Sequence, residues 1–318
     1  MLRAHSSVRV TRTNGFSMIA SRVLIVLVTV LVAFPAAAQK PVAGQLQDAE
    51  ELLSFGDVAG AAAALQKIVA ASPSLFEARL PLGRALDLEG RHADARVHLE
   101  QALRLASDDE QRNEALQALG ISYAFESKAD EAARYYQRAF DAAVQADDRG
   151  AAAGRANALG RIYLESGNVR KAEEWYTTGY EMAKKIPGLP ASQAALWEMR
   201  WHNAMGRIAA RKGQRDAALK HAADAKSLLD RGDNLNQAVF YPYLLGYIAF
   251  YGKNYKGAID DLLKGDQQDP FVLGLIAQSY QRLGDKAKAK EYFRRVMAIP
   301  THSINSAFAR PPARAFLR

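Results

Sequence analysis

A small residue followed by alanine twelve positions later recurs seven times along this chain. The pairs are Ala49 with Ala61, Gly83 with Ala95, Gly120 with Ala132, Gly160 with Ala172, Gly206 with Ala218, Gly246 with Ala258 and Ala277 with Ala289. Seven positions after each first member stands a turn residue: Gly56, Gly90, Ser127, Gly167, Gly213, Lys253 and Gly284. Two helices approach to about 8 Å only where neither carries bulk at the crossing. Each pair therefore predicts an antiparallel helical hairpin whose arms are joined at the turn residue. Larger apolar residues follow one helical turn along the same faces, among them Leu86, Tyr123 and Tyr163 on first arms and Leu99, Tyr136 and Tyr176 on second arms. Such hairpins bury their remaining apolar face only by stacking on one another. The spacing thus predicts an all-α solenoid.

Leu82-Gly83-x2-Leu86 with Ala95-x3-Leu99, Leu119-Gly120-x2-Tyr123 with Ala132-x3-Tyr136, and Leu159-Gly160-x2-Tyr163 with Ala172-x3-Tyr176 resemble the tetratricopeptide repeat signature, W-x2-L-G-x2-Y then A-x3-F then P. The resemblance spans roughly residues 42–298 and implies a right-handed superhelix of about seven helix-turn-helix repeats. Two departures stand out: no repeat has Trp at the first signature position, and only Pro73 and Pro270 fall where the closing Pro belongs. Successive small residues are 34, 37, 40, 46, 40 and 31 apart. The central repeats are therefore expected to have lengthened second helices or links, similar to kinesin-light-chain-like members of the superfamily.

Residues 1–38 read differently. Arg3, Arg9, Arg12 and Arg22 precede an apolar run from Val23 to Phe34, then Pro35 and Ala36-Ala37-Ala38. Basic start, short apolar stretch and small residues at the exit describe a secretory signal peptide, with cleavage expected before Gln39. The apolar run is shorter than the roughly 20 residues a spanning helix needs. A periplasmic or secreted chain is the expectation, and an uncleaved N-terminal membrane anchor is the alternative. Residues 39–298 would form the solenoid and 299–318 a capping or flexible tail.

Cysteine is absent, which excludes disulfides and thiolate metal sites. The net charge of +8 falls to +4 once the four arginines of the leader, which has no acidic residue, are set aside. That balance gives no footing for nucleic-acid binding. Neither a G-x-S-x-G elbow, an H-E-x-x-H helix, a phosphate loop nor a dinucleotide fingerprint occurs. His92 and His98, the closest histidines in sequence, project from different sides of one helix. No catalytic residue, cofactor or metal is expected.

In a solenoid of hairpins the first helices line the concave face. Residues six and three before the small position, one after it and four or five after it then face the groove. Repeat four supplies Asn157, Arg161 and Glu165, and repeat five supplies Arg200, Asn203, Arg207 and Arg211. Repeat six supplies Phe240, Tyr243, Tyr247, Phe250 and Tyr251. Asparagine both donates to and accepts from a peptide backbone, arginine captures carboxylates in bidentate fashion, and aromatic rings are effective anchors. The row is expected to hold an acidic protein or peptide segment with an apolar anchor, which makes the chain an interaction adaptor or scaffold rather than an enzyme. The competing readings are a solvated or internally salt-bridged row, aromatics that pack on a neighbouring repeat or lie under the tail, and a structural subunit of an envelope assembly or an accessory to a cell-wall enzyme.

Overall fold

The computed structural model describes residues 40–318 apart from 233; the leader and its cleavage site lie outside the described residues. Fourteen helices form seven consecutive hairpins: α1 (Val42–Ser54) with α2 (Val58–Ala71), α3 (Phe76–Glu89) with α4 (His92–Leu105), α5 (Asp109–Phe125) with α6 (Ala129–Gln145), α7 (Arg149–Glu165) with α8 (Val169–Lys184), α9 (Ala191–Arg211) with α10 (Arg215–Asp230), α11 (Phe240–Tyr251) with α12 (Tyr255–Leu262), and α13 (Pro270–Arg282) with α14 (Lys286–Ala298). A fifteenth helix, α15 (Ile304–Leu317), follows. There is no strand among the described residues.

All fourteen small positions are buried at the helix crossings. A Cβ added at Gly83 would lie 2.5 Å from Leu99 Cδ2 and 3.1 Å from the Ala95 carbonyl oxygen. At Gly120 and Gly160 it would meet the rings of Tyr136 and Tyr176, and at Gly246 the side chain of Leu262. The residue twelve on therefore supplies backbone at the crossing, and the one sixteen on supplies the side chain that occupies the space. Repeat five differs: its sixteenth residue is Ala222, and the nearest side chain to Gly206 is Leu244 of the next repeat.

Every turn residue named from the spacing adopts a left-handed backbone, with φ from 58° at Ser127 to 92° at Gly167. In four of the seven turns the next residue closes the turn twice over. At Asp57 the backbone N–H donates to Leu52 O, six residues closing on one, while the carboxylate accepts from Gly60 N at the head of α2. Asn168, Asn254 and Asp285 repeat this arrangement. A left-handed C′ residue followed by an Asx N-cap thus ends one helix and starts the next with few idle backbone groups.

The 46-residue interval is filled by the 16-residue α8, the link 185–190 and a 21-residue α9, so the extra turns include an extension of a first helix. The second helix α12 is only 8 residues long.

The tail, expected to cap the solenoid, stay flexible or lie over the groove aromatics, folds as a helix. Helix α15 carries Pro311 and Pro312 in its interior, each of which removes an intrahelical donor, yet it packs against α13, α14, α5 and α7. Three of these are first helices, so α15 lies within the groove. Its Ala307, Ala309 and Ala313 are fully buried or nearly so. Polar clamps fix it to repeat two. Arg310 Nη2 and Arg314 Nη2 donate to Leu88 O at 2.9 and 2.8 Å. That carbonyl belongs to the last turn of α3, which has no intrahelical donor for it and holds the negative end of the helix dipole. Buried Asp87 accepts from His302 Nε2 at 2.8 Å, His92 Nδ1 at 2.9 Å and Ser122 Oγ at 2.9 Å.

Two expectations follow. Ser127 and Lys253 are exposed side chains held at φ 58° and 61°, a conformation that costs L-residues roughly 1–2 kcal/mol. Replacing either by Gly should raise stability to urea by about 0.5–1 kcal/mol after the added freedom of the unfolded chain is counted. Burial pushes the Asp87 carboxyl up, but the hydrogen bonds from His302, His92 and Ser122 outweigh it and hold it below its ordinary 3.8. Its stabilising contribution is therefore complete above about pH 4 and lost as pH falls through the lower folded value. Asp87→Asn should cost about 1.5–3 kcal/mol at neutral pH and flatten the stability profile below pH 4 relative to the parent chain, as followed by circular dichroism.

Candidate functional site

Because the repeats stack in register, side chains at one slot of successive first helices fall into rows. Glu165, Arg211 and Tyr251 share the slot five after the small residue; Arg161, Arg207 and Tyr247 share the slot one after it. These rows converge on Glu165, whose side chain is only 3 % exposed. Arg161 Nε lies 3.5 Å from its carboxylate, Arg207 Nη1 3.7 Å and Arg211 Nη1 3.5 Å. The Tyr247 hydroxyl donates to the same carboxylate at 3.4 Å. Three guanidinium groups around the buried Glu165, with the Asp269 carboxylate acting on Arg161 from the start of α13, leave a local excess of one positive charge.

Each arginine also donates to a tyrosine. Arg161 Nη1 donates to Tyr243 Oη at 2.9 Å, Arg207 Nη2 to Tyr176 Oη at 3.0 Å, and Arg211 Nη1 to Tyr251 Oη at 3.0 Å. Arg161 also stacks over Phe271, 4.4 Å from the ring centroid. Burial works against the charge of Arg161 and Arg207, but Tyr243, Tyr176 and Glu165 outweigh it and hold both above their ordinary value. Arg161 Nε and Arg207 Nη1 are buried without a hydrogen-bond acceptor.

Beside this cluster opens a cavity of about 330 Å³ between α7, α9, α10 and α11. Asn157, Arg161, Arg200, Asn203, Arg207, Phe240 and Tyr243 line it, so the structure gathers seven of the ten residues proposed from slot position. Asn203 Oδ1 accepts from Arg207 Nε at 3.0 Å and its Nδ2 donates to Phe240 O at 3.4 Å. Arg200 is exposed at the mouth and lies over the Trp197 ring. Phe240 stands at the rim, 42 % exposed.

Arg211, Tyr247 and Tyr251 are not among the residues that line the cavity. Tyr247 has no exposed surface, so the direct contact with a partner expected of it is replaced by internal support, while Arg211 pairs with Glu165 and Tyr251, and Arg211 and Tyr251 remain half-buried. Arg161 and Arg207 likewise combine lining with internal pairing. Slot reading missed the opposite sides: Met199, Leu229 and Tyr241 make an apolar wall, and Ile304 and Asn305 arrive from α15. Asn305 Nδ2 donates to Asp269 Oδ2 at 2.8 Å. Nothing in the repeat pattern marks these last two, since they reach the site from a segment outside it.

Away from the cavity, His202 of α9 meets His221 and Asp224 of α10. The two Nδ1 atoms are 3.1 Å apart, and Asp224 Oδ2 is 3.6 Å from His202 Nδ1. Burial lowers both imidazoles below their ordinary range. Sequence separation hid this cluster; the His221-x-x-Asp224 spacing on one helix face is the signal that was present.

Glu165→Gln should leave three buried guanidinium groups without a carboxylate and cost about 3–5 kcal/mol, measured as a lowered urea midpoint at unchanged slope. Arg200→Ala, at the exposed mouth, should shift it by less than about 0.5 kcal/mol.

The tetratricopeptide repeat model matches residues 155–186 and 272–300, the hairpin of repeat four and the hairpin of repeat seven. No curated protein matches the chain. Among solved structures, the apo form of RapI is similar over 87% of this chain and 98% of that one, at 12% identity and a TM-score of 0.54. A tetratricopeptide repeat protein from Parabacteroides merdae covers 87% and 97% at 12% identity and a TM-score of 0.50. A Podosopora anserina putative kinesin light chain with nearly identical TPR-like repeats covers 60% and 96% at 17% identity and a TM-score of 0.50. With seven hairpins in register and two of them matching the tetratricopeptide repeat model, the chain has the fold of a tetratricopeptide-type helical solenoid.

Proposed function

We propose that this chain is a non-catalytic interaction adaptor of the cell envelope, exported by its N-terminal leader, whose groove takes a protein or peptide segment at the cavity between α7, α9 and α11. The observation that carries this reading is a cavity opening beside a cluster of excess positive charge: Arg161, Arg207 and Arg200 line it together with Asn157. A carboxylate entering there would meet Arg200 at the exposed mouth, a charge-assisted bond contributing about 1.5–3 kcal/mol. Asn157 is free to read the adjoining backbone, while Phe240, Tyr241, Met199 and Leu229 offer an apolar wall for an anchor side chain. The segment that enters is therefore acidic at one point and apolar at the next.

The structure also decides which residues can test the reading. Arg161 and Arg207 are tied to Glu165, so reversing their charge would disturb the fold as well as binding. Arg200 and Asn157 are the usable probes. A photo-crosslinking residue at Phe240, at the rim, should trap a partner in cells that make the chain, and Arg200→Ala combined with Asn157→Ala should reduce adduct formation at least tenfold, as a loss of one charge-assisted bond implies. Adducts that form equally well in the double variant, or only from a probe at the exposed Val97 of α4, would replace groove capture by assembly through the outer surface. Cell fractionation with an antibody to the chain tests export separately: a form that retains the leader and stays in the cytoplasm would remove the envelope assignment.

A further inference from the structure

We infer that His202, His221 and Asp224 form a divalent transition-metal site that pins the two helices of repeat five together. Three donor atoms from two helices lie within 4.8 Å of one another. A tetrahedral ion with ligand distances of about 2.0–2.1 Å places its ligands roughly 3.3–3.4 Å apart. The observed separations of 3.1 Å between the imidazole nitrogens and 3.6 Å from imidazole to carboxylate bracket that value. An ion can therefore settle against His202 and each of its two partners with shifts of a few tenths of an ångström, the third separation lying within the same 4.8 Å.

Two imidazole nitrogens and one carboxylate oxygen suit zinc, cobalt, nickel or copper and do not suit magnesium or calcium, which favour all-oxygen sets. His221 and Asp224 stand three apart on α10, so one helix face presents both, and His202 approaches from α9. The Trp201 ring packs edge-on against both imidazoles, with centroids 5.1 and 5.6 Å away, and restrains their rotation. Asp224 is 42 % exposed, so a fourth position remains open to water or to a donor from another molecule. Glu198, one turn before His202, adds negative charge nearby and Lys220 adds positive charge; with Asp224 the surroundings carry a net charge of minus one, which favours a cation. The other described imidazoles outside the leader, His92, His98 and His302, meet a carboxylate or a guanidinium. This trio instead sets two nitrogens of the same kind face to face, an arrangement that an ion between them would satisfy better than a single shared proton.

The test uses the full tag-free chain titrated with cobalt(II) alone, followed by zinc(II) as competitor. Expected is saturation at one equivalent with the visible absorption bands of a four-coordinate cobalt-imidazole site, displaced by zinc. His221→Gln and Asp224→Asn, two variants on the accessible side of the pair, should each weaken binding 10- to 100-fold while circular dichroism stays helical, and His98→Gln should bind as the parent does. Zinc should also raise the thermal midpoint of the parent chain and not of His221→Gln. Absence of one-equivalent binding, or binding that survives both substitutions or is lost with His98→Gln, would overturn the assignment and leave the trio as a hydrogen-bonded pair of histidines beside an aspartate.

Discussion

Close approach of helices at positions without side-chain bulk is the constraint on which everything else in this molecule depends. Gly83, Gly120, Gly160 and Gly246 have no room for a Cβ, because a bulky side chain of the partner helix already occupies it, joined at Gly83, Gly120 and Gly246 by a carbonyl oxygen. Fixing that contact fixes the spacing of arms within a hairpin, and with it the register between hairpins. A slot defined relative to the small residue is thereby converted into a row in space. Glu165 and Arg211, 46 positions apart in sequence at equivalent slots, become an ion pair for this reason.

The same conversion explains why a solenoid can bury charge. First helices present their groove-facing residues to both neighbours, so Glu165 receives arginines from its own helix and from α9, and tyrosine from α11. Desolvating these groups is costly, and the cluster is tolerated because nearly every donor finds an oxygen. The two that do not, Arg161 Nε and Arg207 Nη1, face Glu165 on side chains that also line the cavity. Structural pairing and ligand capacity are thus properties of one set of side chains, and the interior of the cluster serves to aim its outer members.

Much of the fold was legible because the repeat pattern is made of backbone requirements. Missing bulk at a crossing and a left-handed residue at a turn leave a mark in single letters, and even the two turn residues that are not glycine, Ser127 and Lys253, occupy the predicted position and conformation. The slot argument likewise brought Asn157, Arg161, Arg200, Asn203, Arg207, Phe240 and Tyr243 to one cavity. It could not separate lining from support, since Tyr247 and Phe240 occupy groove slots of one helix and differ only in what covers them. It also could not foresee contributions from outside the repeats: Ile304 and Asn305 come from α15, and His202 meets its partners across the α9–α10 hairpin at a face the groove argument did not consider.

Helix α15 shows what tertiary context can override. An isolated helix with proline at two consecutive interior positions would be disfavoured by several kcal/mol. Here its turns are held from outside: Arg310 bridges Met297 O, Ile299 O and Leu88 O, Arg314 reaches the same Leu88 carbonyl, and three alanines are sealed against the groove. Burial lowers Arg310 to about 10, with the neighbouring charge of Arg314 acting in the same direction. The attraction comes from carbonyl oxygens at the end of α3 rather than from a carboxylate, and Gly90, at φ 89°, is where a Cβ would collide with the Arg314 guanidinium. Helix formation and docking of α15 are consequently one event, governed by the end of a helix more than 200 residues away in sequence. Because Ile304 and Asn305 also close one side of the cavity, the shape of the proposed binding site is set by how the last hairpins of the solenoid are tied back to its second.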